Sequence, residues 1–208
     1  MTRSQQSSRL PVDRRVLPSD DEVTAKRALY AEFEPRDLAY RVARDLVERA
    51  YRGEGAYTIG DGVGILLMWW NAGFYRFRPD RLRTLVADLD GLIDSHRAPF
   101  DSYRSRSAAT YDTNRDRPTV EAMYDDFQTI LWPVGAAKAL HVMAPTFFPI
   151  WDTAIANEFR LRLSPRDESV GSYLAWMDFA RRFAAGSSLK DPLKAFDEWA
   201  YVSFTLRR

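Results

Sequence analysis

The chain has 208 residues, 46% of them apolar and 13% aromatic, with 30 basic against 29 acidic side chains and a net charge of +1. That suits one well-buried core or two small lobes sharing one, and excludes a global polycation field. The lack of cysteine excludes disulfides, thiolate-bound zinc and thiol nucleophiles, and two histidines far apart leave no histidine-rich metal site. No run reaches the roughly 18 apolar residues of a membrane span. The polar stretch from Met1 to Leu17 lacks the apolar segment of a secretory signal. A cytoplasmic protein without membrane contact is the expectation.

Residues 1–20 hold Ser, Gln, Arg and two prolines without periodicity, and read as a flexible N-terminal arm. Residues 21–208 read as a single domain. Ser19 followed by Asp20, Asp21 and Glu22 predicts a helix start, with one helix over Asp21 to Phe33. Pro35 opens the next, with Leu38, Val42, Leu46 and Ala50 as its buried stripe up to Gly53. Thr58 to Gly62 is expected as a loop, and Val63 to Asn71 as an apolar helix carrying Trp69 and Trp70. Arg78, Pro79 and Asp80 form another turn, after which Leu82, Leu85, Val86, Leu89 and Ile93 follow at helical spacing.

Residues 97–118 are polar, with Arg104, Arg106, Arg115 and Arg117 interleaved with Tyr103 and Tyr111. They read as an extended loop or broken helices, either a solvated loop or a phosphate track. Pro118 begins a helix with Met123, Phe127 and Ile130 inward. A turn at Pro133 to Gly135 leads into a helix over Ala136 to Ala144, ended by Pro145. Asp152 is predicted to cap a helix through Arg160. Ser164 to Glu168 opens an amphipathic helix with Tyr173, Trp176, Met177 and Phe179, and Asp191-Pro192 opens the last, with Phe196, Trp199 and Phe204. Strand alternation is unconvincing outside the last few residues. The pattern predicts an all-α domain of about eight to ten helices.

Four lysines stand against 26 arginines, and of Lys26, Lys138, Lys190 and Lys194 only Lys138 lies in a strongly apolar segment. A lysine there either snorkels to water or has a specific role. The stretch Trp132-Pro-Val-Gly-Ala-Ala-Lys138, an apolar helix and then Phe147-Phe-Pro-Ile-Trp-Asp152 place Lys138 and Asp152 at the ends of a turn, a helix and a buried connection. Asp152 is equally a plain N-cap, and Lys138 equally a structural ion-pair partner. His141, three positions after Lys138, is either a hydrogen-bonded core histidine or shares its face. The tryptophans suit a core as well as a stacking platform.

The segment over about residues 127–160 resembles the helix-hairpin-helix DNA glycosylase superfamily. In that family a Leu-Pro-Gly-Val-Gly-x-Lys hairpin precedes a helix, an apolar stretch with a proline, and an Asp-Thr-His-Val-like element carrying the catalytic aspartate. Here Trp132-Pro-Val-Gly lacks the first hairpin glycine, and one more residue separates Gly135 from Lys138. The interval from lysine to aspartate is about one helical turn shorter, and there are no cysteines for an iron–sulfur cluster. The resemblance implies two helical lobes closing around 127–160 and a DNA glycosylase-like base-excision hydrolase, with or without lyase activity, acting on a damaged or modified base. It implies Lys138 as nucleophile or positioning cation, and Asp152 as stabiliser of an oxocarbenium-like transition state. Pro133, Val134, Gly135 and Ala136 would form the DNA phosphate site, the last three through backbone N–H groups. Trp132, His141 and Trp151 become candidate pocket walls for a flipped base, with DNA as partner and no cofactor.

Two other classes remain. A non-catalytic nucleic-acid binder would keep the outward turn and a basic rim without a pocket. A helical interaction scaffold without DNA contact would have neither, with Lys138 paired on a closed surface. A glycosylase requires Lys138 and Asp152 on one pocket. No Ser–His–Asp pattern, phosphate-binding glycine loop or metal-ligand spacing points to another enzyme class.

Overall fold

Among the residues described in the computed structural model, which are 12–33, 37–71 and 83–206, every regular element is helical. After a 3-10 turn at Val12–Arg14 come α1 (Asp20–Phe33), α2 (Asp37–Tyr51), α3 (Ile59–Trp70), α4 (Leu85–Ser95) and α5 (Arg97–Arg104). A second 3-10 turn at Ala108–Thr110 precedes α6 (Arg117–Met143), α7 (Thr153–Glu158), α8 (Arg166–Gly186) and α9 (Pro192–Ala200), which runs on into a π-helical turn at Tyr201–Thr205. The last few residues are therefore helical rather than strand-like. Within this set no helix is long and apolar enough to cross a membrane.

Pro35, the turn at Arg78 to Asp80, and Leu82 fall outside the described residues, as does most of the expected arm. The described part of that arm packs against the body: Val12 is buried, and Arg15 pairs with Glu158. Several expected boundaries hold. The Glu22 amide donates to Ser19 Oγ (3.2 Å) at the start of α1, and Leu85, Leu89 and Ile93 form the buried face of α4.

The face of α2 differs from its hydrophobic stripe. Leu38 is 59% exposed and Val42 is also exposed, while Ala39, Tyr40, Ala43 and Val47 are buried. The cause is the close approach of α3. A Cβ on Gly62 would meet Val47 Cγ2 at 2.8 Å and the Ala43 carbonyl at 3.1 Å, so small residues lie at the contact and Leu38 is displaced to the outside. The expected loop at Thr58 to Gly62 is instead the first turn of α3. Thr58 caps it in a reciprocal box, with Asp61 N–H donating to Thr58 Oγ1 (3.1 Å) and Thr58 N–H donating to Asp61 Oδ2 (2.8 Å).

The expected turn at Pro133 to Gly135 contracts to one residue. Trp132, at φ 61° and ψ 169°, breaks α6 into two halves, and Pro133 begins the second. Proline cannot continue a helix through its own position and disfavours helical backbone at the residue before it, so the break falls at Trp132.

After Met143 the chain runs irregularly through the core, and three of its carbonyls in succession find side-chain donors instead of backbone ones. His141 Nδ1 donates to Phe148 O (2.6 Å), the Tyr173 hydroxyl to Pro149 O (3.2 Å) and Trp176 Nε1 to Ile150 O (2.8 Å). At the kink, Pro133 O accepts from both Tyr124 and Trp151 (3.2 Å each). Tyr124 stacks on Tyr173 with ring centroids 4.1 Å apart.

The arginine-rich stretch 97–118 is α5, a 3-10 turn and a tight loop. Two of its arginines turn inward, correcting both readings for them: Arg104 donates to Glu48 (2.7 Å) and Met143 O (2.8 Å), and Arg106 grips Asp116 with both nitrogens (2.9 and 2.6 Å). Arg115 and the Asp112 amide also bond Asp116. Burial pushes the Asp116 pKa up, but the guanidiniums and the amide prevail and hold it well below the ordinary carboxylate range. A depressed pKa contributes stability that is present above the unfolded value and lost as pH falls towards the folded one. Asp116→Asn is expected to cost about 2–3 kcal/mol at pH 7. It should also weaken the pH dependence of stability below about pH 4, as read in urea unfolding at pH 7 and pH 3.

Candidate functional site

Lys138 and Asp152 line one cavity of about 400 Å³, within the range typical of small-molecule sites. Its other walls are Tyr30 of α1, Trp70 and Asn71 at the end of α3, Val134 of α6, Ile150, the first turn of α7, Asp197 of α9, and Tyr201 and Thr205 beyond it. Lys138 is only 8% exposed. Its Nζ donates to Asn71 Oδ1 (2.7 Å) and Trp70 O (3.2 Å), and lies 5.8 Å from the Trp70 ring centre. Asn71 is in position because it ends α3 as its C-cap, which brings its side chain to the second half of α6.

Asp152 caps α7 as expected: Oδ1 accepts from Ile155 N–H (2.8 Å). Its Oδ2 accepts the Thr205 hydroxyl (2.7 Å), so both oxygens are held. Helix α7 stops at Glu158 rather than Arg160, because Arg160 adopts a left-handed backbone (φ 56°) and Leu161 N–H closes back on Ala156 O (2.8 Å).

A second buried lysine was missed in the sequence. Lys194, 7% exposed, lies 3.0 Å from Glu198 and 3.9 Å from Asp197, with Nζ 4.8 Å from the ring centres of Tyr30 and Tyr40. Burial opposes its charge, but Asp197 and Glu198 outweigh it and raise its pKa. Glu198 also accepts from Arg27 Nε (2.6 Å). Asp197 lines the cavity, and burial pushes its pKa up to about 7; Lys194 opposes the shift, and Glu198 and Asp152 add to it. The spacing Lys194, Asp197, Glu198 puts all three on one helix face, the one readable signal of this cluster. Nothing in the local sequence marks Tyr30, Asn71 or Thr205, which reach the site only through tertiary packing.

The three expected pocket walls lie elsewhere. His141 is fully buried between Phe148 O and Tyr40; the carbonyl can only accept, so Nδ1 carries the proton and Nε2 accepts from the Tyr40 hydroxyl (2.9 Å). Burial, with Lys194 and Arg44 nearby, lowers its pKa to about 3, against the hydrogen bond to Phe148. His141 is thus a neutral core residue. Trp151 is fully buried and spends its N–H on Pro133. Trp132 is 53% exposed and borders a neighbouring depression that shares Trp70, Asn71, Val134 and Thr153 with the cavity. Of the four residues expected at a phosphate, Pro133 and Val134 are half-buried, while Gly135 and Ala136 are buried. A Cβ on Gly135 would meet Leu131 Cβ at 3.0 Å and Asn71 Nδ2 at 3.3 Å, so this glycine serves the packing of α6 against the end of α3. Among the described residues no group of three His, Cys, Asp or Glu side chains is placed to hold a metal ion.

No family model, curated protein or solved structure matches the chain.

Two substitutions separate structure from chemistry here. Asp152→Ala removes a cap and should cost about 1 kcal/mol, whereas Asp152→Asn keeps an acceptor oxygen and should stay close to wild type in thermal unfolding. Trp132 occupies backbone space that only glycine visits freely, at a strain of about 1–3 kcal/mol. Trp132→Ala keeps the strain and loses the contacts of the half-exposed ring, whereas Trp132→Gly also relieves the strain, so the glycine variant is expected to be the more stable of the two by about 1 kcal/mol. A glycine variant no more stable than the alanine variant in urea unfolding would mean the conformation carries no strain.

Proposed function

We propose that the protein is a DNA glycosylase-like hydrolase that excises a damaged or modified base in this cavity, with two helical lobes arranged around residues 127–160 as in that superfamily. The observation that carries the reading is that Lys138 and Asp152, contributed by different elements, line the same cavity. An N-glycosidic bond breaks with positive charge building on the sugar, and a carboxylate fixed beside it stabilises that charge without having to reorganise. Asp152 is suited to this because the Ile155 amide and the Thr205 hydroxyl hold its two oxygens. Attack by Lys138 on C1′ would require Nζ to exchange its contacts with Asn71 and Trp70 for the sugar; left in place, it serves as a positioning cation. Trp70 and Tyr30 offer aromatic wall for a flat base. A DNA phosphate would meet the start of the second half of α6 at half-buried Val134, whose N–H can donate, with Pro133 beside it offering no donor.

Borohydride trapping on a duplex with an abasic site tests the reading. Wild type is expected to give a covalent adduct that Lys138→Ala abolishes, and Asp152→Asn to slow base release by about 10²–10³-fold. Salt-sensitive DNA binding without adduct or base release in any variant would point to a non-catalytic binder. Neither binding nor adduct would leave an interaction scaffold with a structural Lys138.

A further inference from the structure

We propose that Asp197 is the proton donor of this cavity, protonating a ring nitrogen of the departing base, and that the base it serves is electrically neutral. The proposal rests on the glycosylase reading and adds to it a residue and a substrate class.

The geometry comes first. Asp197 is 7% exposed and lines the cavity together with Lys138 and Asp152. Among the described residues its carboxylate accepts no hydrogen bond; its one ion partner is Lys194 at 3.9 Å, which Glu198 engages more closely at 3.0 Å. A carboxylate that lines a cavity and takes no hydrogen bond from the protein is left open to a group bound there. That suits a residue that exchanges a proton with a ligand. Asp152, by contrast, has a donor on each oxygen. One carboxyl thus has both oxygens held by donors and the other has neither, an asymmetry suited to the unlike roles of the two carboxyls in acid-assisted cleavage of a glycosidic bond.

The groups near Asp197 are Lys194 and Glu198 on its own helix, Asp152 just before α7, Lys138 on α6, and Tyr30 and Tyr201, which also line the cavity. Burial raises its pKa, Lys194 and Lys138 lower it, Glu198 and Asp152 raise it, and the balance falls at about 7. A donor with that value is about half protonated at neutral pH and can both give up and regain its proton there.

The step balances as follows. The C1′–N bond breaks and its electron pair goes to the base nitrogen, which takes the Asp197 proton. Asp152 stabilises the sugar cation, water adds to C1′, and the ionised Asp197 takes the proton that the water gives up. The products are free base and an abasic sugar. A purine alkylated at N7 or N3 already carries a formal positive charge and leaves without a proton, so a buried donor would give it nothing. A neutral base leaves as an anion unless protonated, and only there does Asp197 raise the rate.

The test compares base release by the full chain from duplexes containing hypoxanthine, uracil or 7-methylguanine between pH 5.5 and 8.5. Wild type is expected to release a neutral base, with a rate falling about tenfold per pH unit above the Asp197 pKa. Asp197→Asn should remove that pH dependence and lower the rate about 10²–10⁴-fold, with its thermal melting checked alongside. Release of 7-methylguanine alone by wild type would overturn the proposal without any variant. Neutral-base release by Asp197→Asn at the wild-type rate and pH dependence would overturn it while leaving the glycosylase reading standing. No release of any base and no borohydride adduct from wild type would overturn both.

Discussion

The rest of the structure depends on how one irregular stretch of chain crosses the core. From Ala144 to Trp151 the backbone has no helix to absorb its carbonyls, yet it is almost wholly buried. Each carbonyl left bare would cost about 1–3 kcal/mol. His141, Tyr173 and Trp176 bond three successive carbonyls, at Phe148, Pro149 and Ile150. The donors come from α6 and α8, so the same bonds that satisfy the crossing clamp those two helices about it. The crossing delivers Asp152 to the cavity in a fixed place, and the kink at Trp132 delivers Lys138 from the other side. The Pro133 carbonyl exposed by that kink is taken up by Tyr124 and Trp151, which ties the two features into one network.

The same network fixes the state of His141. Nδ1 donates to the Phe148 carbonyl, and complete burial keeps the ring neutral, so that Nε2 accepts from Tyr40. Tyr40, which completes that pair, also stacks on Trp70 and lies beneath Lys194. A core hydrogen bond and the charged end of the cavity are therefore two sides of one aromatic ring, and packing rather than solvent sets the positions of the buried ions.

What could be read from the sequence divides along physical lines. Helices were legible where periodicity and end signals agreed, as for α4, α8 and α9, and the cap at Asp152 was legible because capping is local chemistry. Lys138 stood out because a charge within an apolar run demands an explanation. The buried face of α2 was not legible, since hydrophobicity favours the leucine stripe while the actual contact depends on how closely Gly62 brings α3 to Ala43. The capping box at Thr58 was hidden by two glycines that read as loop, although they serve close helix contacts. Half of the site's polar groups were out of reach. Asn71 and Thr205 come together with Lys138 and Asp152 only in the folded chain, and Asp197 carried a signal only in its spacing from Lys194.

The cavity draws Tyr30 and Thr205 from opposite ends of the described chain, and α1 packs directly on α9. Closing so long a loop is among the costlier contacts a chain can make, and such contacts form late. During synthesis the α2–α4 region can fold well before residue 205 exists, yet no part of it contains a complete site. The polar groups of the cavity are thus assembled only when α1 has met α9 and the turn beyond it, so that a partly made or partly unfolded chain has no complete cavity.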